Sequence, residues 1–184
     1  MTKDASQPLL YTIGHGTRSL DELVEVLTEA GVRVLVDVRT APGSRRNPQF
    51  SSDSLSAACA AAGIRYAWER DLGGFRRPRP DSPHVAIRND AFRGYADHMR
   101  SEAFAEALER VMSLARNEPT AVMCAETVWW RCHRRMIADA VMARGWRVRH
   151  LLGVGRSQDH TMHPNARLEG DSIVYDAGVH AALG

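Results

Sequence analysis

The stretch LLYTIGHGTRSLDELVEVLTEAGVRVLVDV, residues 9–38, decides the fold. Leu9 to Gly14 is a compact apolar run closed by glycine, the pattern of a buried strand. Ser19 and Glu22 then form a capping box, in which the serine caps a backbone N–H and the glutamate reaches back. Leu20, Leu23, Val24 and Leu27 give a helical stripe that stops at Gly31. Val32 to Val38 is a second apolar strand, with Asp37 and Arg39 at its C-terminal end. Strand, helix and strand in this order imply a parallel pair joined by a right-handed crossover.

The pattern repeats outward. Leu55 to Ala62 reads as a small-residue helix closed by Gly63, and Ile64 to Trp68 as a third strand. Asp90–Met99 and Ser101–Asn117 read as helices, Thr120–Cys124 as a fourth strand and Trp146–Leu152 as a fifth. A helix begins near Arg131, buries Met136, Ile137, Ala140 and Val141, and ends at Gly145. Residues 1–8 are a polar lead, and 40–51, 71–89 and 156–170 are expected to be loops, with Ser172–Tyr175 a short edge strand. Alternating strands and helices specify one α/β domain over residues 9–184, with a mostly parallel sheet of about five strands flanked by helices in Rossmann-like layering.

The 184 residues carry a formal net charge of +2, and Lys3 is the only lysine. Codon usage alone produces such a bias, while forked guanidinium groups also suit phosphate or carboxylate. An odd cysteine count, three, does not build a disulfide framework, which points to a reducing cytoplasm. No apolar run is long enough for export or a membrane span, so no membrane partner is expected.

In parallel sheets, ligands bind outside the carboxyl ends of the strands. That rule gathers His15, Asp37, Arg39, Glu69, Cys124, Glu126 and the Gly153–Arg156 loop on one rim. The richest stretch on it is Thr120 to Arg135, TAVMCAETVWWRCHRR. Cys132 and His133 fall in or just before the first turn of a helix, where unpaired N–H groups lower a thiol's pKa, and Arg131, Arg134 and Arg135 add positive charge. Cys132 is thus a candidate nucleophile beside a histidine. Cys124 at a strand end and Cys59 in an alanine-rich helix read as packing residues. Glu126 and Asp37 serve as acid–base groups if partly desolvated, or else as ion-pair partners of Arg39 or Arg134. His15, between glycines, presents an imidazole where a ligand approaches, and His163-Pro164-Asn165 could close over the same edge.

Other chemistries fit less well. Cys124, Cys132 and His133 match no paired-cysteine zinc knuckle, so neither metal nor cofactor is expected. A phosphatase cradle needs five residues between Cys and Arg, whereas six separate Cys124 from Arg131 and two are the bulky Trp129 and Trp130. VLVDVR at 34–39 and AVMCAE at 121–126 are similar in layout to rhodanese-like domains, which admits sulfur handling. Arg45, Arg46, Arg76, Arg77 and Arg79 lie in the two long loops near Phe50, Trp68 and Phe75, a combination that suits stacked bases and phosphates.

Several separate motifs then occur in order: YTIGHGTRS (11–19), DVRTAPGSRR (37–46), LGG (72–74), FRGYADHM (92–99), MCAE (123–126) and CHRR (132–135). Together they resemble the family called domain of unknown function 488, from about Leu10 to about Tyr175. The resemblance implies a bacterial α/β protein marked by His15, Asp37, Arg39, Ser44, Arg45, Cys124, Glu126, Cys132, His133 and Arg134. The acids, arginines and thiol gathered on one rim lead to the expectation of an enzyme, a hydrolase or transferase, acting on an anionic small molecule, phosphate-bearing, or on nucleic acid. Arg39, Ser44, Arg45 and Arg134 would hold the anion, and Cys132, His133, Glu126, Asp37 and His15 would do the chemistry. The alternative is a nucleic-acid-binding module that catalyses nothing.

Overall fold

The computed structural model describes residues 7–43 and 45–178. Its main sheet has six strands in the order β3-β2-β4-β1-β5-β6, where β1 is Leu9–Gly14, β2 Val34–Asp37, β3 Arg65–Trp68, β4 Thr120–Cys124, β5 Arg147–Gly153 and β6 Arg156–Asp159. The pairings among the first five are all parallel, and β6 runs antiparallel to β5. The chain moves outward from β1 to β3 and then returns to β4 beside β1. The crevice at that reversal lies above the C-terminal ends of β1, β2 and β4.

Each central strand is buried on both faces, which is why it reads as a mostly apolar run. Along β2, Val34 and Val36 join one core while Leu35 joins the other. The first core packs helices α3 (Asp90–His98), α4 (Glu102–Asn117) and α5 (Arg134–Met142); the second packs α1 (Leu20–Glu29) and α2 (Ser52–Ala61). Alternate side chains of a strand point to opposite faces, so the sheet serves two cores at once. The Ser19–Glu22 capping box is formed in both directions, and Leu23, Val26 and Leu27 are the buried stripe of α1.

Three expectations change. The 156–170 segment is not all loop: Gly153 to Gly155 turns the chain into β6, and a further strand, β7, spans Ala166–Glu169. Ser172–Tyr175 is β8, but it pairs with β7 in a separate two-stranded sheet instead of edging the main one. The helix after β4 starts at Arg134 and not near Arg131, preceded by a 3₁₀ turn at Trp129–Arg131, which leaves Cys132 and His133 just before its first turn, within the expected placement. The 71–89 loop is irregular, as expected, yet fixed. Tyr95 donates to the Leu72 carbonyl at 2.8 Å, and Gly94 lets the loop backbone lie on α3, since a Cβ there would sit 2.5 Å from Arg77. Among the described residues, no helix is long and apolar enough to cross a membrane.

Candidate functional site

A cavity of about 340 Å³ opens above the crevice, and its walls include His15, Arg39, Cys124, Glu126, Cys132 and His133. Six of the residues expected on the rim are thus brought together. Close approach of β1 to the loop after β4 makes this possible: the backbone N–H groups of His15 and Gly16 donate to Cys124 and Ala125, extending the ladder past the strand ends. A Cβ on Gly14 would lie 1.9 Å from the Glu126 carbonyl oxygen, so only glycine fits there.

The sulfurs of Cys124 and Cys132 meet on the wall of this cavity, with the Cα atoms 7.7 Å apart. Nothing in their eight-residue separation signals the pairing, and Cys124 is therefore more than a packing residue. Cys59 lies buried in α2, where burial pushes its thiol up to about 11, an inert setting. Arg134 serves both sulfurs: its Nε donates to Cys124 Sγ at 3.0 Å and its backbone N–H to Cys132 Sγ at 3.4 Å. The rest of its guanidinium donates to Thr12 Oγ1 and to the carbonyls of Glu126 and Thr127. The side chain is 1% exposed, and burial pulls its pKa down to about 10. Among the described residues no carboxylate makes an ion pair with it, so the nearest group able to carry a compensating negative charge is the Cys124 sulfur.

His133 has a defined tautomer. Its Nε2 lies 3.0 Å from the Val38 carbonyl oxygen, which can only accept, so Nε2 carries the proton. The Nδ1 lone pair is left facing Cys132 Sγ at 3.7 Å. Burial pulls its pKa down to about 4, so the ring is neutral at neutral pH. His15 is fixed likewise: Nδ1 donates to the Gly16 carbonyl at 2.9 Å, Arg39 Nη1 approaches Nε2 at 3.5 Å, and the ring stacks on Phe50. Burial first, and the Arg39 charge after it, lower the His15 pKa.

The remaining expected residues are placed differently. Asp37 is fully buried behind Arg39, whose Nε and Nη2 grip its two oxygens at 2.9 and 2.6 Å; the Tyr66 hydroxyl donates to it as well. It positions Arg39 and does not line the cavity. Arg39 also donates to the Phe50 carbonyl, leaving Nη1 as the part nearest His15. Glu126 is exposed at the mouth, where its carboxylate accepts from the Val128 N–H. Arg45 is exposed and not among the lining residues, and Ser44 lies outside the described residues. Glu69 is paired with Arg110. Arg131, expected to add charge beside Cys132, and Phe75, expected beside the loop arginines, also line it. Phe75 is 92% exposed and held at φ 56°, a left-handed conformation that costs a bulky residue energy.

Behind the sulfurs runs a buried polar chain absent from the sequence reading. Asp139 accepts from His160 Nε2 at 2.7 Å; His160 Nδ1 meets His150 Nε2 at 2.9 Å; His150 Nδ1 meets Thr12 Oγ1 at 2.6 Å; and Thr12 accepts from Arg134. With one proton on each ring, every donor points toward Asp139, so the chain joins the Arg134 cation to a buried carboxylate. Tyr175 donates to the other Asp139 oxygen at 2.8 Å, and Trp129 stacks on His150. A polar residue inside each apolar run (Thr12, Asp139, His150) was the available signal, since buried polar groups need partners. Among the described residues no group of three or more His, Cys, Asp and Glu side chains could hold a metal ion.

The family model described as "Domain of unknown function DUF488" matches residues 19–141, from the cap of α1 into the last turn of α5. The match is shorter than the span of motifs, since it leaves out β1 with His15 and the strands that carry His150 and Tyr175. No curated protein and no solved structure is matched. The match takes in well over half of the chain, including Asp37, Arg39, Glu126, Arg134 and both paired cysteines: the protein belongs to the DUF488 family.

Proposed function

We propose that the protein is an enzyme of thiol–disulfide exchange, with Cys132 the sulfur that meets substrate and Cys124 its internal partner. One observation carries this reading: two sulfurs meet at a cavity wall, and one buried arginine gives an N–H to each. In the reduced state the Cys132 S–H has an acceptor in His133 Nδ1. As that proton passes to His133 Nδ1, the Cys132 thiolate attacks one sulfur of a substrate disulfide, the S–S bond breaks, and the departing thiolate takes the proton from the ring. The Cys124 thiolate, its charge balanced by Arg134, then attacks Cys132 Sγ, closes the internal disulfide and releases the second substrate thiolate. The substrate disulfide is reduced and the cysteine pair oxidised; a small thiol reverses the change. Such pairs suit the cytoplasmic setting drawn from composition, where disulfides are transient and catalytic.

The anionic substrate expected from the arginines enters as a property of this substrate. Arg131 and Arg39 line the cavity, while Phe75 and Phe92 supply apolar surface. A phosphate clamp of Arg39, Arg45 and Arg134 has less support, because Arg39 is gripped by Asp37, Arg134 is turned inward and Arg45 stands outside the cavity. Nucleic acid would meet the surface where Arg76, Arg77, Arg79 and Arg100 gather, and a band-shift with a steep salt slope is its test. For the exchange reading, the rate of reduction of a small aromatic disulfide is compared between the natural chain, Cys132→Ser and Cys124→Ser. Loss of turnover in both supports it; turnover that survives either substitution contradicts it.

A further inference from the structure

Cys132 borders a second cavity of about 270 Å³ that the exchange reaction has not used. Its lining includes Arg88, Asn89, Phe92, Trp130, Arg135 and Asn165, and among the described residues no aspartate or glutamate. Among the described residues Arg135 makes no ion pair, and its Nε is buried without a hydrogen-bond partner. A buried N–H without an acceptor is rare in folded proteins, and beside a cavity it is a donor available to a ligand. The Arg135 charge is felt nearby: after burial, it is the main cause that lowers the His163 pKa. Asp139, a buried acid bonded to the lining residues Tyr175 and His163, is occupied by them and by His160.

We infer that this cavity is a subsite for the carboxylate of a small thiol, which it presents to Cys132. The planar guanidinium of Arg135 matches a carboxylate bidentately, and the side-chain amides of Asn89 and Asn165 add donors. One half-buried guanidinium suits a monoanion; the second charge of a phosphate would be left to the exposed Arg88. Phe92 and Trp130 form apolar walls for a short carbon chain. The reacting group at the far end meets a sulfur, which makes it a thiol. Its thiolate attacks Cys132 Sγ, the Cys124–Cys132 bond breaks, and the electron pair passes to Cys124, whose thiolate accepts the Arg134 Nε–H. A second thiol then attacks the mixed disulfide at the ligand's sulfur, freeing Cys132 and releasing the ligand as its disulfide. Two thiols are oxidised and the cysteine pair is reduced.

The sulfur step rests on the exchange reading; the carboxylate subsite does not. The test follows release of the two protein thiols from the oxidised protein with 3-mercaptopropionate and with uncharged 2-mercaptoethanol, at equal thiolate concentration. The carboxylate thiol is expected to react about ten-fold faster or more, the worth of one charge-assisted hydrogen bond. The ratio of the two rates should collapse toward unity in Arg135→Gln, and propionate should slow only the carboxylate thiol. Equal rates in the natural chain, or a ratio that survives Arg135→Gln, overturn the subsite. Should the cysteine pair fail to cycle, the exchange reading falls by itself. NMR titration of the reduced protein with propionate then tests the subsite alone, with binding lost in Arg135→Gln supporting it. Binding of inorganic phosphate as tight as propionate, or no binding of either, overturns the carboxylate assignment.

Discussion

Replacing Arg134 by methionine tests the electrostatic heart of the site. Arg134 Nε lies 3.0 Å from Cys124 Sγ, and the side chain is 1% exposed. At that distance, with an effective dielectric constant of about 20, a unit charge pair interacts by about 5 kcal/mol. Since one pH unit in a pKa corresponds to about 1.4 kcal/mol, the interaction alone would move the Cys124 thiol by about four pH units. Burial of the thiolate opposes part of this, so a rise of at least about two pH units is expected on losing the cation. The measurement is thiolate absorbance against pH in a Cys132→Ser, Cys59→Ser background, where Cys124 is the only thiol. The substitution also leaves the Glu126 and Thr127 carbonyls without their donor, costing about 3 kcal/mol or more. Arg134→Lys, which keeps the charge but not the fork, should therefore fold better and show an intermediate midpoint. A Cys124 midpoint at the ordinary thiol value in the background protein, unchanged by Arg134→Met, would refute the reasoning.

Three further outcomes follow from the same geometry. Asp37→Asn leaves the buried Arg39 guanidinium without its counter-charge, so urea unfolding should show a loss of about 3–5 kcal/mol; a loss under about 1 kcal/mol would contradict the positioning role. Phe75→Gly removes a left-handed phenylalanine whose ring is in solvent, so stability should hold or rise by about 1 kcal/mol while substrate KM rises; a fall in stability refutes it. His133, lowered by burial from 6.5 to about 4, takes up its proton in the unfolded chain before the folded one. Stability is therefore complete above pH 6.5 and lost as pH falls toward 4, by about 3 kcal/mol. His133→Asn should remove that part of the acid-side slope in urea titrations, and an unchanged slope assigns the acid sensitivity elsewhere.

The fold was legible wherever the chain buries both faces of a strand. Leu9–Gly14 and Thr120–Cys124 stand where their apolar runs put them, and the Ser19–Glu22 box starts α1 as its chemistry requires. The misread segments are short strands without that signal. RSQD in β6 is mostly exposed and polar, and ARLE in β7 finds its partner only through the turn into β8. The rim rule gathered His15, Arg39, Cys124 and Glu126 of the cavity wall, because strand ends are fixed by the sheet. It did not assign roles, since those depend on which side chains meet across the fold. Asp37 turned out to be the anchor of Arg39, and Cys124 the partner of Cys132. Thr12 and His150 are 138 positions apart in the chain and adjacent only because β1 pairs with β5.

The central claim is that Cys124 and Cys132 are one reversible redox unit. Differential alkylation with mass spectrometry tests it directly, on protein first reduced, then exposed to a disulfide oxidant, then reduced again. The account expects Cys124 and Cys132 to lose and regain alkylation together, joined in a single cross-linked peptide, while Cys59 stays reduced throughout. Cysteines that oxidise independently, or a bridge that includes Cys59, would contradict it.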